Sequence, residues 1–259
     1  MSTDAGAVRL ERRDAIATIT FDRPGARNAL TWAMYEELER ALDRVASEPG
    51  VRVVVLRGAG GNFAAGTDIS QFTAFTSGDD GVDYERRLEG VLTKLESLPA
   101  ATVAAVEGYA AGGGLALAAA SDLRVASPNA QFGVPIARTI GNSLSMSNYA
   151  RLVASLGAAR TKAMLLTAEF MSADEARSIG FVVRVFEPHA FDRELELLCA
   201  RLASHAPLTL QVTREAVRRI VSRAASDGDD LVRRVYGSRD FREGVAAFVD
   251  KRKPRWEGR

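Results

Sequence analysis

Blocks of two kinds of apolar pattern follow each other along the chain. AIATITF (Ala15–Phe21) is apolar and β-branched and predicts a strand, closed by the turn residues DRPGARN. In the next segment, TWAMYEELERALDRVAS, Tyr35, Leu38, Leu42 and Val45 fall at helical spacing and Thr31 suits the N-cap. VRVVVLRG (Val51–Gly58) is a near-continuous β-branched run, the pattern of a strand covered on both faces. A helix within 75–98 leads to a second buried strand at TVAAVEG. An Ala/Leu helix follows, then short strands at DLRVAS and AQFG. MSADEAR carries a helix-start signature, Ser172 with Glu175 three residues on, and FVVRVF (Phe181–Phe186) predicts the last strand. Beyond about residue 190 the spacing is wholly helical. Strands alternating with helices, followed by helices alone, predict an α/β core over 1–190 and a helical C-terminal domain over 191–259.

Composition narrows the function classes. The chain has 259 residues, 47% hydrophobic and 26% charged, with a formal charge of +1, which gives no global pull toward nucleic acid or anionic membranes. No apolar run reaches the roughly 18 residues that span a bilayer, and MSTDAGAVRLERRD lacks the apolar core of a signal peptide. The single cysteine, Cys199, lies in an apolar helical pattern and suits a reducing compartment, so a cytoplasmic location is expected. One Cys and two His argue against a His/Cys metal site. Residues 213–259 hold 13 Lys/Arg against 8 Asp/Glu, a surplus of five, readable as a solvated helix face or as a phosphate contact.

Chemistry is suggested by glycines. GYAAGGGLALAAASDLR (Gly108–Arg124) sets three consecutive glycines between a buried strand and a helix, although each costs about 1 kcal/mol relative to alanine inside a helix. Helix-start N–H groups lack intrahelical partners, and bare glycine lets a ligand approach them closely. GAGGNFAAGTDIS (Gly58–Ser70) has the same layout, with Asp68 suited to an N-cap. Each loop alone reads first as a tight turn or close helix packing; the two together could give one N–H each to a single carbonyl oxygen.

Six segments in order, FDRPGARNALTWAMYEEL, GGNFAAGTDISQF, VEGYAAGGGLALAAASDLRVAS, AQFGVP, MSADEARSIGFVVRVF and FREGVAAFVDKRKPRW, resemble the crotonase (enoyl-CoA hydratase/isomerase) superfamily. The resemblance implies a crotonase-like spiral of β-β-α turns with a C-terminal helical trimerisation domain, giving trimers or dimers of trimers. It implies an acyl-CoA thioester as partner, with CoA entering as part of the substrate and no separate cofactor. By motif position, the backbone N–H groups of Thr67 and Gly113 would hold the thioester oxygen. Arg27 would lie near the CoA phosphates and Ala65 and Ile69 beside the adenine, while Lys253 and Trp256 would reach a neighbouring subunit's CoA.

The chain also departs from the family. A hydratase of this family uses two glutamates, one three residues after the middle glycine and one after the proline of FGxP; here these positions are Ala116 and Ile136. Neither side chain can transfer a proton, so a two-glutamate hydration is disfavoured. The following stretch, IARTIGNSLSMSNYAR, carries Leu144 or Ser145 where some relatives place a later carboxylate. Its polar residues read either as helix capping and surface polarity or, for Asn142, Ser143 and Ser145, as groups lining an acyl pocket. Tyr149 could be an acid or a core residue. Asp83 and Glu85, on a helix that borders the acyl chain in some relatives, are expected on a solvated face. Glu107 is expected in a structural hydrogen bond, and His189 and His205 lie outside the matched motifs. The expected function is an acyl-CoA enzyme that stabilises a thioester enolate, a lyase or isomerase of fatty-acid metabolism type. A non-catalytic acyl-CoA-binding protein is the alternative, and RNA binding a weaker one with only the basic tail behind it.

Overall fold

The computed structural model describes residues 5–223 and 228–257. In chain order the N-terminal half holds β1 (Ala7–Arg13), β2 (Ile16–Asp22), α1 (Trp32–Ser47), β3 (Val53–Gly58), α2 (Gly78–Glu96), β4 (Ala101–Val106), β5 (Tyr109–Ala111) and α3 (Gly113–Ala120). Then come β6 (Leu123–Ala126), β7 (Gln131–Gly133), α4 (Ile136–Thr139), α5 (Met146–Leu156), α6 (Ala158–Thr167), β8 (Met171–Ser172), α7 (Ala173–Ser178) and β9 (Arg184–Val185). Four helices close the chain: α8 (Phe191–Ser204), α9 (Pro207–Ser222), α10 (Asp229–Tyr236) and α11 (Arg239–Val249).

The strands form two sheets. The larger has the order β1-β2-β3-β4-β6-β9, parallel throughout except for the antiparallel β1–β2 hairpin; the smaller has the order β5-β7-β8. β4 and β6 each run into a strand of the small sheet, β5 and β7, and after β3 the chain makes the corresponding bridge at Ala64, paired with Ala110. Each turn of the spiral therefore contributes to both sheets. This places the loop after β3 and the loop after β5 side by side.

β3 is buried on both faces, as its β-branched run requires. Val54 and Leu56 join the main core, whereas Val53 and Val55 face Phe191, Leu195, Leu198 and Cys199 of α8. Cys199 is packed as an apolar residue, its thiol pushed up to about 11 by burial. The C-terminal helices share the cores of the preceding segments: Val232, Tyr236, Phe241 and Val245 of α10 and α11 belong to the main core. Their rings pack with Phe72, Phe75 and Tyr84, with centroids 4.7 Å apart for Tyr236–Phe241 and 5.0 Å for Phe72–Tyr84. α10 and α11 are thereby folded over α2 and the turn at Ile69–Ala74.

Local signals behave as their chemistry dictates. The Thr31, Asp68 and Ser172 side chains accept from the N–H groups of Met34, Ser70 and Glu175. Two expectations are corrected. β1 lies in a segment assigned no structure, because as an edge strand it carries Arg9, Glu11, Arg12 and Arg13 and lacks a continuous apolar run. The strand expected over Phe181–Phe186 shrinks to Arg184–Val185; Phe181 and Val182 are core residues outside any strand.

Candidate active site

The three glycines form the joint between β5 and α3. Gly112 has φ +49 and ψ −116, a conformation that side chains resist, and its N–H is held by the Gly133 carbonyl at 3.0 Å. A Cβ on Gly114 would strike the Ala64 carbonyl, so the β3 loop and α3 can touch only because that side chain is absent. Between them, a Cβ on Gly113 would lie 3.8 Å from the Thr67 nitrogen. The backbones at Thr67 and Gly113 thus converge.

Their neighbours are committed: Leu30 N–H donates to Gly66 O at 2.7 Å, Asp68 N–H to Leu30 O at 2.9 Å, and Ala111 N–H to Ala64 O at 3.0 Å. The N–H groups of Thr67 and Gly113 donate to no protein acceptor among the described residues. The Thr67 side chain is clamped between two phenols, with its Oγ1 2.8 Å from Tyr35 Oη and 2.8 Å from Tyr84 Oη. Burial pushes Tyr35 up to about 12 and Tyr84 well above the usual phenol range, so both remain neutral donors and acceptors.

Both N–H groups open onto one cavity. Ala65, Ile69, Leu115, Ala116, Ile136 and Leu144 supply much of its apolar wall. Ala116 and Ile136, the positions without the family glutamates, line it side by side with Gly113 and Thr67. The same cavity is lined by Tyr84, Glu85, Asn142 and Asn148. Among the described lining residues Glu85 is the only carboxylate.

Glu85 corrects the expectation of a solvated position. It is 3% exposed, whereas Asp83, two residues earlier, points outward and pairs with Arg86 at 3.8 Å. The Glu85 carboxylate accepts from Ser145 N–H at 2.7 Å and Asn148 Nδ2 at 3.4 Å through one oxygen, and from Tyr236 Oη at 3.2 Å through the other. Burial lifts its pKa to about 7 against the opposing pull of these donors. No cation offsets the burial. Arg151 lines the same cavity, but its guanidinium is bidentate to Glu89 (2.6 and 2.6 Å) and to Glu96 (2.6 and 2.9 Å). Burial works against its charge, and those two carboxylates outweigh it and raise its pKa. The signal for Glu85 was present in the periodicity: Val82, Glu85, Leu88 and Leu92 share one helix face, and the three apolar residues are buried.

The other anticipated residues divide. Asn142 lines the cavity and donates through Nδ2 to Tyr236 Oη at 2.9 Å. Ser143 and Ser145 are not among the lining residues. Ser143 Oγ lies 3.3 Å from the Leu144 carbonyl and 3.5 Å from Tyr149 Oη. Ser145 Oγ caps α5 by accepting from Asn148 N–H at 3.3 Å, and its contribution to the wall is the N–H given to Glu85. Ala65 and Ile69 line the cavity, and the exposed Arg27 guanidinium lies 5.2 Å above the Tyr109 ring. Trp256, half-exposed, packs against Gly141 of its own chain, and Lys253 is exposed. Glu107 pairs with Arg57 at 3.5 Å, and His189 and His205 are exposed. Among the described residues, no three His, Cys, Asp or Glu side chains are grouped to hold a metal ion, and no helix is long and apolar enough to cross a membrane.

The sequence profile of the enoyl-CoA hydratase/isomerase family matches residues 11–259. The chain belongs to that family. Among curated enoyl-CoA hydratase/isomerase relatives it is 33% identical over 259 residues to the 2,3-dehydroadipyl-CoA hydratase of Escherichia coli, covering 96% of this chain and 98% of the relative. It is 30% identical over 251 residues to the short-chain-enoyl-CoA hydratase of Clostridium acetobutylicum, covering 95% of each. Among solved structures, a methylmalonyl-CoA decarboxylase in complex with 2-nitronate-propionyl-CoA superposes with a TM-score of 0.88 at 26% identity, over 97% of this chain and 98% of the other. The two sheets and C-terminal helices are the α/β crotonase fold.

Proposed function

We propose that this enoyl-CoA hydratase/isomerase family member binds an acyl-CoA thioester and stabilises its enolate, with the thioester oxygen between the N–H groups of Thr67 and Gly113. The observation that carries the reading is the convergence of two uncommitted backbone N–H groups on one largely apolar cavity. In such a wall a developing oxyanion meets fixed dipoles and little competing water, where a single donor contributes about 10²–10³ in rate. The exposed Arg27 suits the CoA phosphates, and Ala65 and Ile69 suit the adenine; Lys253 and Trp256 are assigned to the CoA of a neighbouring subunit. The exposed apolar residues Leu208, Val212, Val217 and Ile220 of α9 support self-association into a homotrimer or a dimer of trimers.

Ala116 and Ile136 favour enolate chemistry over water addition by two glutamates. They also keep open the second reading, a protein that binds acyl-CoA without turnover. Calorimetric titration with butyryl-CoA, run beside deuterium wash-in at its α-carbon in D₂O, separates the two. Binding with wash-in is expected; binding without wash-in selects the second reading, and failure to bind rejects both. Crotonyl-CoA hydration should be slow in the wild type and rise in an Ala116→Glu, Ile136→Glu double variant.

A further inference from the structure

The cavity that Thr67 and Gly113 line also carries a wall whose composition a structural role alone does not explain. A glutamate at 3% exposure is held by three neutral donors, while the arginine next to it is consumed by two other carboxylates. The donors come from α5 and from α10, 151 residues downstream of Glu85 in the case of Tyr236. The same wall carries a buried acceptor, Asn142 Oδ1, with no hydrogen-bond partner among the described residues. An unpartnered buried acceptor costs about 1–3 kcal/mol unless a ligand or water donates to it.

We infer that Glu85 is the catalytic proton-transfer group of this site, taking a proton from the acyl α-carbon and returning it to carbon. This rests on the acyl-CoA reading above and supplies the group that Ala116 and Ile136 lack. In the forward step the Cα–H bond breaks and its electron pair passes into the thioester, whose oxygen becomes the enolate oxygen between Thr67 and Gly113. The proton stays on a Glu85 oxygen. With a 3-enoyl thioester, the same proton is then delivered to the γ-carbon, giving the conjugated 2-enoyl thioester. Atoms and charge balance without a co-reactant. Hydration would require a second acid or base to work on water, and among the described residues Glu85 is the only carboxylate lining the cavity. A proton shift along the acyl chain needs no such second group.

The surroundings of Glu85 set the pH dependence. Tyr84 of its own helix, Tyr35 of α1 and Tyr236 of α10 stay neutral; Arg151 of α5 is paired with Glu89 and Glu96; and between α2 and α10 Arg233 pairs with Asp79 and Arg86 with Asp229. Glu85 is then the one group at the wall whose charge changes near neutral pH.

The test follows deuterium wash-in into butyryl-CoA and conversion of 3-hexenoyl-CoA to its conjugated isomer, in wild type, Glu85→Gln, Glu85→Asp and Tyr236→Phe, with butyryl-CoA titration as the check on folding. Glu85→Gln is expected to lose about 10²–10⁴-fold in both rates while still binding, and Glu85→Asp to recover part of the loss. Tyr236→Phe removes a donor to the carboxylate, so the rising limb of its pH–rate profile should move to higher pH. Wild-type rates in Glu85→Gln overturn the assignment while leaving the enolate reading intact. Should Glu85→Gln fail to fold, an unmoved profile in Tyr236→Phe overturns it instead. A wild type that binds butyryl-CoA but exchanges nothing overturns both readings of catalysis.

Discussion

The two sides of the cavity are built by opposite means. One side is backbone: two glycine-rich loops, 46 residues apart at Thr67 and Gly113, are locked together by strand-like bonds and the absence of side chains. The other side is side chain: a carboxylate on α2, an amide before α5, a capped helix start and a phenol on α10. The first has fixed polarity, since amide N–H groups do not titrate. The second carries a group whose charge is set by its surroundings. In the proposed reading, the first part recognises developing charge and the second exchanges a proton.

The largest way to break this division is Gly113→Ala. Its Cβ would sit 2.6 Å from Tyr35 Oη and 3.3 Å from Thr67 Oγ1, pushing the two loops apart. Wash-in at the α-carbon of butyryl-CoA should fall about 10²–10³-fold, with calorimetric affinity changing much less. An equal loss in both would show that the loops bind the ground state as strongly as the enolate.

Next in size is a stability effect confined to the side-chain wall. The pKa of Glu85 is raised to about 7, so between the ordinary glutamate range and pH 7 the folded state holds more protons than the unfolded one. Stability from this group is present at low pH and is lost as pH rises through 7, by on the order of 3 kcal/mol. Urea unfolding at pH 5 and pH 8 should show Glu85→Gln losing less stability than wild type between the two. The same comparison in Gly113→Ala should follow wild type, because the loops carry no titrating group in that range.

The smallest effect sharpens the backbone side. Tyr35→Phe removes one of the two hydroxyls that clamp Thr67, and the loss of one such bond costs about 1 kcal/mol of stability, measurable as a small drop in Tm. Tyr84 still holds Thr67 Oγ1, so the wash-in rate should change only a few-fold.

This division also explains what could be read from the amino acids. The loops were legible because backbone chemistry leaves a dense local trace, three glycines between a buried strand and an apolar helix, and because Gly58–Ser70 repeats that layout. Thr31, Asp68 and Ser172 were legible for the same local reason. The opposite wall was not, because its parts are remote in sequence and each has an ordinary local role. Ser145 is an N-cap, Tyr236 is one aromatic in a helix of mixed charge, and Glu85 sits in DDGVDYERR, where charge density masks the stripe shared with Val82 and Leu88. Burial of that helix depends on α10 and α11 folding over it, and tertiary contact at that range has no local pattern. β1 was missed because its charges hide a pairing that is also non-local.

The long separation between Glu85 and Tyr236 has a consequence for a chain still being made. The strands and loops that present the two N–H groups are complete once β7 has left the ribosome, about a hundred residues before α10 follows. Until then Glu85 lacks the Tyr236 hydroxyl that holds one of its carboxylate oxygens. In the proposed reading, a chain cut short before α10 carries the two loops but not the phenol that fixes the carboxylate. Synthesis of the last helices then completes the proton-transfer half of the proposed site.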